Sequence, residues 1–187
     1  AIHAARKLAY VSDQPSNALL VVDLEKRAVT KKVDLGESPE GVYISPDGRW
    51  VTAAVELTNS VAFIDTATDT VAFRVKIKGE NPEHAVFSPD GRFVYVSAEE
   101  DDKLEVIDVG ARKLVAQLKV GTRPRGIAFT PDGAKAYVAC ERAEVRRGRL
   151  EHRHARGGRA RQRAHADLLR RRGGSARCIQ LALSDGE

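Results

Sequence analysis

The sequence contains no methionine, only two cysteines and few aromatic side chains. The two cysteines, Cys140 and Cys178, provide neither a disulfide framework nor the paired spacing of a zinc site. No run of residues is long and apolar enough to span a membrane, and no signal-peptide pattern opens the chain. Because methionine is missing, Ala1 is not expected to be a translation start, so we expect a removed leader or a piece of a longer protein.

The motifs of several catalytic classes are also missing. The sequence contains no phosphate-binding glycine loop, no H-E-x-x-H zinc motif and no C-x-x-C-H haem-attachment motif. It also contains no recognisable pairing of a nucleophile with a general base. We therefore expect a non-enzymatic protein that holds no metal or cofactor of its own.

Positive charge is distributed unevenly along the chain. The formal net charge of +5 comes from residues 142–187, which contain 13 arginines, no lysine and five acidic residues. Residues 1–141 contain 18 basic and 21 acidic residues and are mildly acidic. A basic segment attached to an acidic body indicates two regions of different character, divided near residue 141.

A turn motif repeats within the acidic body. It reads SPDGRW at Ser45–Trp50, SPDGRF at Ser88–Phe93 and TPDGAK at Thr130–Lys135, at intervals of 43 and 42 residues. Proline presets φ at the second position of such a turn, and glycine accepts the positive φ that closes a hairpin. The Pro, Asp and Gly of these turns are therefore predicted to be structural rather than catalytic.

Each repeat divides into four short segments rich in Val, Ile, Phe and Tyr. In one unit they read HAVFS, FVYVSAE, LEVIDV and KLVAQLKV, each of strand length and separated by turn residues. Four-stranded antiparallel meanders with a period of 42–43 residues are typical of β-propeller blades. The sequence predicts an all-β chain with about three blades and the start of a fourth over residues 1–141, forming an incomplete ring with exposed blade edges.

The repeats resemble the YVTN β-propeller family, whose pattern approximates P-x-G-V-A-F-S-P-D-G-x-x-x-Y-V-x-N followed by V-x-V-I-D-T-A-T. The signature reads YVSD at Tyr10–Asp13, YVSA at Tyr95–Ala98 and YVAC at Tyr137–Cys140, without the final Asn. Within that family the chain is most similar to bacterial propellers that accompany quinoprotein alcohol oxidation. The resemblance covers residues 8–141 and implies an exported protein, in the periplasm or at the cell surface.

The meander predicts which loops share one side of the molecule. The loop before the first strand of a blade and the loop after its second strand lie together, opposite the PDG turns; we call this side the loop face. Propellers commonly bind ligands at one loop face. The candidate binding residues on it are Glu56, Glu83, His84, Glu99 and Arg125. We therefore predict a binding or scaffolding module with a protein partner, or self-association through the exposed blade edges.

Two alternatives concern single features of the loop face. His84 stands where two other repeats have Gly41 and Gly126, so it could bind haem or a metal, or form an ordinary hydrogen bond in a loop. With haem, the chain would be an accessory propeller for quinoprotein or haem electron transfer in alcohol oxidation. The acidic run Glu99–Asp102 could bind Ca²⁺, but it lacks EF-hand spacing, and a solvated hairpin also explains it.

The arginine-rich segment, residues 142–187, is predicted to be an irregular tail. A nucleic-acid-binding tail would contact phosphates, but such tails usually interleave aromatic residues for base stacking, and none occurs after Tyr137. A disordered end without a role is a second interpretation.

A third interpretation is that residues from about 145 onward are translated out of frame. One choice of codons for this segment, read one base later, encodes SVVVDSSTGTRVVAARVSV. That string matches the pattern of NSVAFIDTATDTVAFRVKI at Asn59–Ile77. Its aspartate falls near position 150, where the repeat period requires one, and the nucleotide sequence of the gene tests the hypothesis.

Overall fold

A computed structural model of the chain describes residues 1–142, 162–168 and 177–185, and these residues form four four-stranded antiparallel sheets. The prediction of β-propeller blades in an incomplete ring is confirmed. The helices of the described residues are three short 3-10 turns, Ala4–Arg6, Gln14–Ser16 and Glu56–Thr58. No helix in this part of the chain has the length and apolar character needed to cross a membrane.

Each sheet is one blade. The first blade contains β1 (Ile2–His3), β2 (Leu8–Asp13), β3 (Ala18–Asp23) and β4 (Ala28–Asp34). The second contains β5 (Pro39–Ile44), β6 (Trp50–Val55), β7 (Ser60–Asp65) and β8 (Thr70–Lys76). The third contains β9 (Pro82–Phe87), β10 (Phe93–Ala98), β11 (Lys103–Asp108) and β12 (Lys113–Lys119). The fourth contains β13 (Thr122–Phe129), β14 (Lys135–Arg142), β15 (Gln162–Leu168) and β16 (Arg177–Asp185).

The PDG turns have the structural role that their composition predicts. Gly48, Gly91 and Gly133 adopt φ values of 75°, 71° and 71°, which only glycine adopts without strain. The Asp47 carboxylate accepts hydrogen bonds from the Ser45 hydroxyl (2.6 Å) and the Arg49 amide (3.0 Å). These bonds lower the pKa of Asp47 below its ordinary value, so the carboxylate stays ionised and holds the turn.

Successive blades stack through apolar faces. Alternate residues of a strand point to opposite faces of its sheet, so each blade has two faces. We call the face toward the following blade its leading face and the opposite face its trailing face. Tyr10 and Val21 of the first leading face share a buried cluster with Val51 and Ile64 of the second trailing face. Similar clusters join the second blade to the third and the third to the fourth.

Backbone-directed polar contacts also tie neighbouring blades together. The guanidinium of Arg74 in the second blade donates to the carbonyl of Leu35, at 2.7 Å. Glu105 in the third blade is fully buried, and its carboxylate accepts hydrogen bonds from the amides of Lys78 and Gly79, both at 2.9 Å. These contacts fix the loops that lead from one blade into the next, which is where the loop face begins.

The fourth blade departs from the predicted meander. Its strand order is β13-β14-β16-β15, so β16 rather than β15 pairs with β14. An irregular tail was predicted for residues 142–187, but the described residues 162–168 and 177–185 form strands. Ile179, Leu181 and Leu183 alternate with other residues, a period-two pattern typical of strands that the arginine content of the tail obscures. The strand predicted near residue 150 by the out-of-frame hypothesis lies outside the described residues.

Candidate functional site

The five candidate binding residues lie at one end of the second, third and fourth blades. Glu83 and His84 are near the start of β9, and Arg125 is near the start of β13. Glu56 and Glu99 directly follow β6 and β10. The first strands β5, β9 and β13 contact one another in sequence order, so these starting ends converge on the loop face.

Arg125 brings three of the candidates together. Its guanidinium forms ion pairs with Glu83 and with Glu99, the latter at 3.0 Å between Nη2 and Oε1. It also donates to Glu141 from Nε at 3.0 Å and from Nη2 at 2.8 Å. The contacts therefore run between the third and fourth blades, because Glu83 and Glu99 belong to one and Arg125 and Glu141 to the other.

A second arginine completes this arrangement. Arg123 forms an ion pair with Glu99, and its Nε lies 3.2 Å from Oε2 of Glu141. We call Glu83, Glu99, Arg123, Arg125 and Glu141 the Arg125 cluster. The side chain of Glu99 is only 3% exposed, so this carboxylate is the buried part of the cluster and pairs with both guanidinium groups. Buried carboxylates of this kind require such partners, because an unpaired buried charge is costly.

The acidic residues that follow β10 make different contacts and have different structural roles. Glu99 is buried in the Arg125 cluster, which differs from the solvated hairpin that the sequence predicts at this residue. Asp101 pairs with Lys103 at 3.0 Å, and the Asp102 carboxylate accepts a hydrogen bond from the Arg123 amide at 3.0 Å. Within the described residues, no three or more His, Cys, Asp or Glu side chains are grouped so as to hold a metal ion.

The role of Asp102 repeats in the other blades. Asn59 accepts from the Asn81 amide at 3.0 Å and Asn17 from the Ser38 amide at 3.3 Å. All six residues of these three pairs have positive φ, a conformation that Asn and Asp tolerate better than most residues. Asp102 is therefore the third member of a series of loop-to-blade hydrogen bonds.

His84 packs against Gly41 and Tyr43 of the neighbouring strand β5. Its Nδ1 lies 2.7 Å from the Tyr43 hydroxyl, and the two rings meet edge to face with centroids 5.8 Å apart. A Cβ atom on Gly41 would lie 2.7 Å from this nitrogen and 2.8 Å from the carbonyl oxygen of Glu83, so only glycine permits the contact. The imidazole is half-buried and joins the second blade to the third.

The hydrogen bond to Tyr43 decides what His84 can do chemically. Burial lowers the pKa of His84 while the nearby Glu83 opposes this shift, so the imidazole is neutral near pH 7. If the Tyr43 hydroxyl donates to Nδ1, then Nε2 carries the ring proton and has no lone pair for a metal. If Nδ1–H donates to the tyrosine oxygen, Nε2 is free to bind one, and haem or metal binding requires this second tautomer.

The second blade adds two further carboxylates to the loop face. Glu56 accepts a hydrogen bond from the Ser38 hydroxyl at 2.7 Å, and Glu40 contacts the side chain of Gln14. Burial, together with repulsion from Glu83 and Glu56, raises the pKa of Glu40 above its ordinary value. Glu56 is therefore on the predicted face but outside the Arg125 cluster.

Sequence reasoning missed two of the residues that shape this region. Tyr43 lies two positions after Gly41 on the same strand, and this period-two spacing was the available signal that both face His84. Glu105 takes a position that is Leu20 in the first repeat and Ala62 in the second. A charge among apolar equivalents was the signal of a buried acceptor.

Comparisons with known proteins support the fold. Residues 54–141 match the family model of the Cytochrome D1 heme domain, a β-propeller. The chain is similar in structure to a chain of the Kuenenia stuttgartiensis hydrazine synthase, with a TM-score of 0.69 and 25% identity. That similarity covers 73% of this chain and only 39% of the hydrazine synthase chain. No curated protein matches the sequence. Neither match is to the YVTN repeat family itself, so that finer assignment stays a prediction.

Proposed function

We propose that the chain is part of an exported β-propeller that acts as a binding module through its loop face and performs no chemistry of its own. The observation that carries this proposal is the charge of that face. The guanidinium groups of Arg123 and Arg125 lie there among a larger number of carboxylates, which include those of Glu40, Glu56, Glu83, Glu99, Glu100 and Glu141. The excess of negative charge favours a partner protein with a basic segment, because complementary charge speeds encounter and excludes other partners.

The layering of the Arg125 cluster suits this role. Glu99 is buried beneath the arginines, whereas the side chains of Glu100 and Glu141 are 47% and 43% exposed. The buried carboxylate holds the arginines in place, and the exposed carboxylates remain accessible to a lysine or arginine of a partner. A fixed set of charges loses little conformational freedom on binding, which favours affinity.

The test is binding of a fluorescent deca-lysine peptide, followed by anisotropy at low salt. Glu100→Gln should weaken binding by about threefold, since a single rim charge contributes modestly. Glu25→Gln is the matched control, because Glu25 is an exposed carboxylate in the turn between β3 and β4, away from the loop face. Equal weakening by both variants would mean that the peptide responds to the overall charge of the protein, and this result would contradict binding at the loop face.

A second candidate function is a haem-linked propeller that assists quinoprotein or haem electron transfer in alcohol oxidation. The match of residues 54–141 to the Cytochrome D1 heme domain favours it, because His84 lies within that range. The acidic loop face disfavours it, because haem carries negatively charged propionates. Haem titration separates the two functions: a Soret-band shift that His84→Ala abolishes supports haem binding, and an unchanged spectrum excludes it.

Two further expectations complete the proposal. The periplasm or the cell surface is the proposed location, and cell fractionation with an antibody to the chain tests it.

Nucleic-acid binding by the arginine-rich tail depends mostly on residues outside the described part of the chain. The acidic charge of residues 1–141 supports a basic protein partner in preference to nucleic acid.

A further inference from the structure

Two exposed arginines lie where the second and third blades meet, on the side of the molecule opposite the loop face. Arg112 is in the turn between β11 and β12, and its guanidinium lies over the Phe73 ring of the second blade, 4.5 Å from the ring centroid. Arg49 follows a PDG turn and lies over Trp50, 4.9 Å from that centroid. Neither guanidinium forms an ion pair or a hydrogen bond with any residue that the structure describes.

The two rings connect these arginines into one row. Trp50 and Phe73 meet edge to face with centroids 5.4 Å apart, and Phe73 stacks on Phe63 with centroids 4.4 Å apart. Both rings belong to the apolar cluster between the second and third blades, so core packing fixes their positions. A guanidinium over a ring keeps N–H donors free for a partner. We call Arg49, Trp50, Phe73 and Arg112 the arginine–ring row.

The preceding blade junction has the same turn position with its charge paired. Asp69 of the second blade is the repeat equivalent of Arg112. It pairs with Arg6 of the first blade at 2.8 Å and accepts a hydrogen bond from the Tyr10 hydroxyl at 2.6 Å. At that junction the described residues provide both charges of the pair. At the next junction they provide only the cation, so a carboxylate has to come from elsewhere.

The aspartates of the neighbouring turns are engaged with the backbone of those turns. The Asp65 carboxylate accepts from the Ala67 amide, and the Asp108 carboxylate accepts from the Ala111 amide, both at 2.8 Å. Asp47 holds its PDG turn in the same way. These carboxylates stabilise turns, and their places in the turns leave the guanidinium groups of the arginine–ring row available.

We propose that the arginine–ring row binds an acidic segment of a partner protein, which makes it a second binding surface beyond the loop face. Guanidinium groups bind carboxylates through paired, charge-assisted N–H···O bonds, and two of them at one junction suit a segment with several carboxylates. Residues 142–187 are a poor source of such a segment, since they contain 13 arginines and only five acidic residues.

The ring contacts favour an acidic peptide over a nucleic acid. The Phe73 ring already contacts Phe63 and Arg112, and the Trp50 ring already contacts Arg49 and Phe73. Little ring surface is therefore left for the base stacking by which single-stranded nucleic acids bind. The arginines provide the binding groups, and the rings hold them in place.

The emission of Trp50 reports on this surface alone, because Trp50 is the only tryptophan of the chain. A deca-glutamate peptide added to the full chain at low salt should change the wavelength or intensity of this emission as it binds. The same peptide with a fluorophore measures total binding by anisotropy, which includes any binding to the arginine-rich tail. Binding by anisotropy without a change in Trp50 emission, or no binding by either measurement, would overturn the proposal.

Matched variants test whether the arginine–ring row is the contact. Arg112→Gln should raise the dissociation constant measured from Trp50 emission by about fivefold, as expected for the loss of one partly exposed charge pair. Arg27→Gln is the control, because Arg27 is exposed at the same turn position of the first blade, with φ of 53° against 52° for Arg112. Arg27 lies over no ring among the described residues. Equal weakening by the two variants would assign binding to overall charge and overturn the proposal.

A variant that keeps the charge tests the role of the ring. Phe73→Leu removes the ring beneath Arg112 and should also weaken binding, and circular dichroism establishes that it keeps its strand content. An unchanged dissociation constant in Phe73→Leu would contradict a row that depends on the ring.

Other anions test the nature of the occupant. Inorganic phosphate or a deca-thymidine oligonucleotide that changes Trp50 emission at an equal or lower concentration than deca-glutamate would overturn an acidic peptide as the occupant. Glu100→Gln should leave the response of Trp50 to deca-glutamate unchanged, so this result is independent of the binding function proposed for the loop face.

Discussion

The inner and terminal blades share one repeat but have different surroundings. Ile64 in the second blade and Ile107 in the third are fully buried, whereas Val22, at the same repeat position in the first blade, is partly exposed. The strands at these positions have the same pairing and turns. Burial of a core residue therefore comes from the neighbouring blade rather than from its own sheet, as expected for repeats stabilised by nearest-neighbour contacts.

The largest expected difference between the two regions is at the Ile64 and Val22 positions. Ile64→Ala should lower the free energy of unfolding by about 2–5 kcal/mol, since it leaves a cavity between two blades. Val22→Ala should cost about 1 kcal/mol or less at dilute protein concentration, where this face is partly in water. Urea denaturation of both variants measures the two values.

Protein concentration sharpens this comparison. If the predicted self-association through exposed blade edges covers the first trailing face, the cost of Val22→Ala should rise with concentration, because unfolding then also loses an interface. The cost of Ile64→Ala should not depend on concentration to the same extent. Equal costs at the two positions under dilute conditions would show that blade stability does not depend on covering neighbours.

A smaller difference is expected at the glycines of the first strands. Gly41→Ala would place a Cβ 2.8 Å from the Glu83 carbonyl oxygen, so it should destabilise the protein by about 2 kcal/mol through overpacking. Among the residues that the structure describes, a Cβ on Gly126 would meet no atom within 4 Å, so Gly126→Ala should change stability by less than about 0.5 kcal/mol. Thermal unfolding compares the two variants, and a destabilising Gly126→Ala would mean that a neighbour already covers the fourth blade.

The contrast between blades also explains how much the sequence could predict. The spacing of the PDG turns determines where strands begin and end, so the blades and the loop face followed from it. The sequence predicted that Glu83, Glu99 and Arg125 lie on the same side of the molecule, but it did not predict that they contact one another. The repeat pattern does not indicate which side chains reach the next blade. The pairing of β16 with β14 was missed for a different reason: no repeat motif marks either end of that strand.

The smallest expected effect is the pH dependence contributed by His84, between the second and third blades. Burial lowers the pKa of His84 in the folded protein, with Glu83 opposing and Arg125 reinforcing the shift. A histidine with a lowered folded pKa binds protons more readily when unfolded. Its stabilising contribution is therefore fully present above the ordinary histidine pKa of about 6.5 and is lost as the pH falls toward the folded value.

Urea denaturation at pH 7.5 and 5.5 measures this loss. Wild type should lose more stability between these two pH values than His84→Gln, by a fraction of the effect expected at Gly41. Tyr43→Phe keeps the buried ring but removes the hydroxyl, so it should retain the pH dependence of wild type if burial is the main cause. Loss of that dependence in Tyr43→Phe would instead assign it to the hydrogen bond at Nδ1. The contact between the second and third blades would then depend on one specific hydrogen bond in addition to apolar packing.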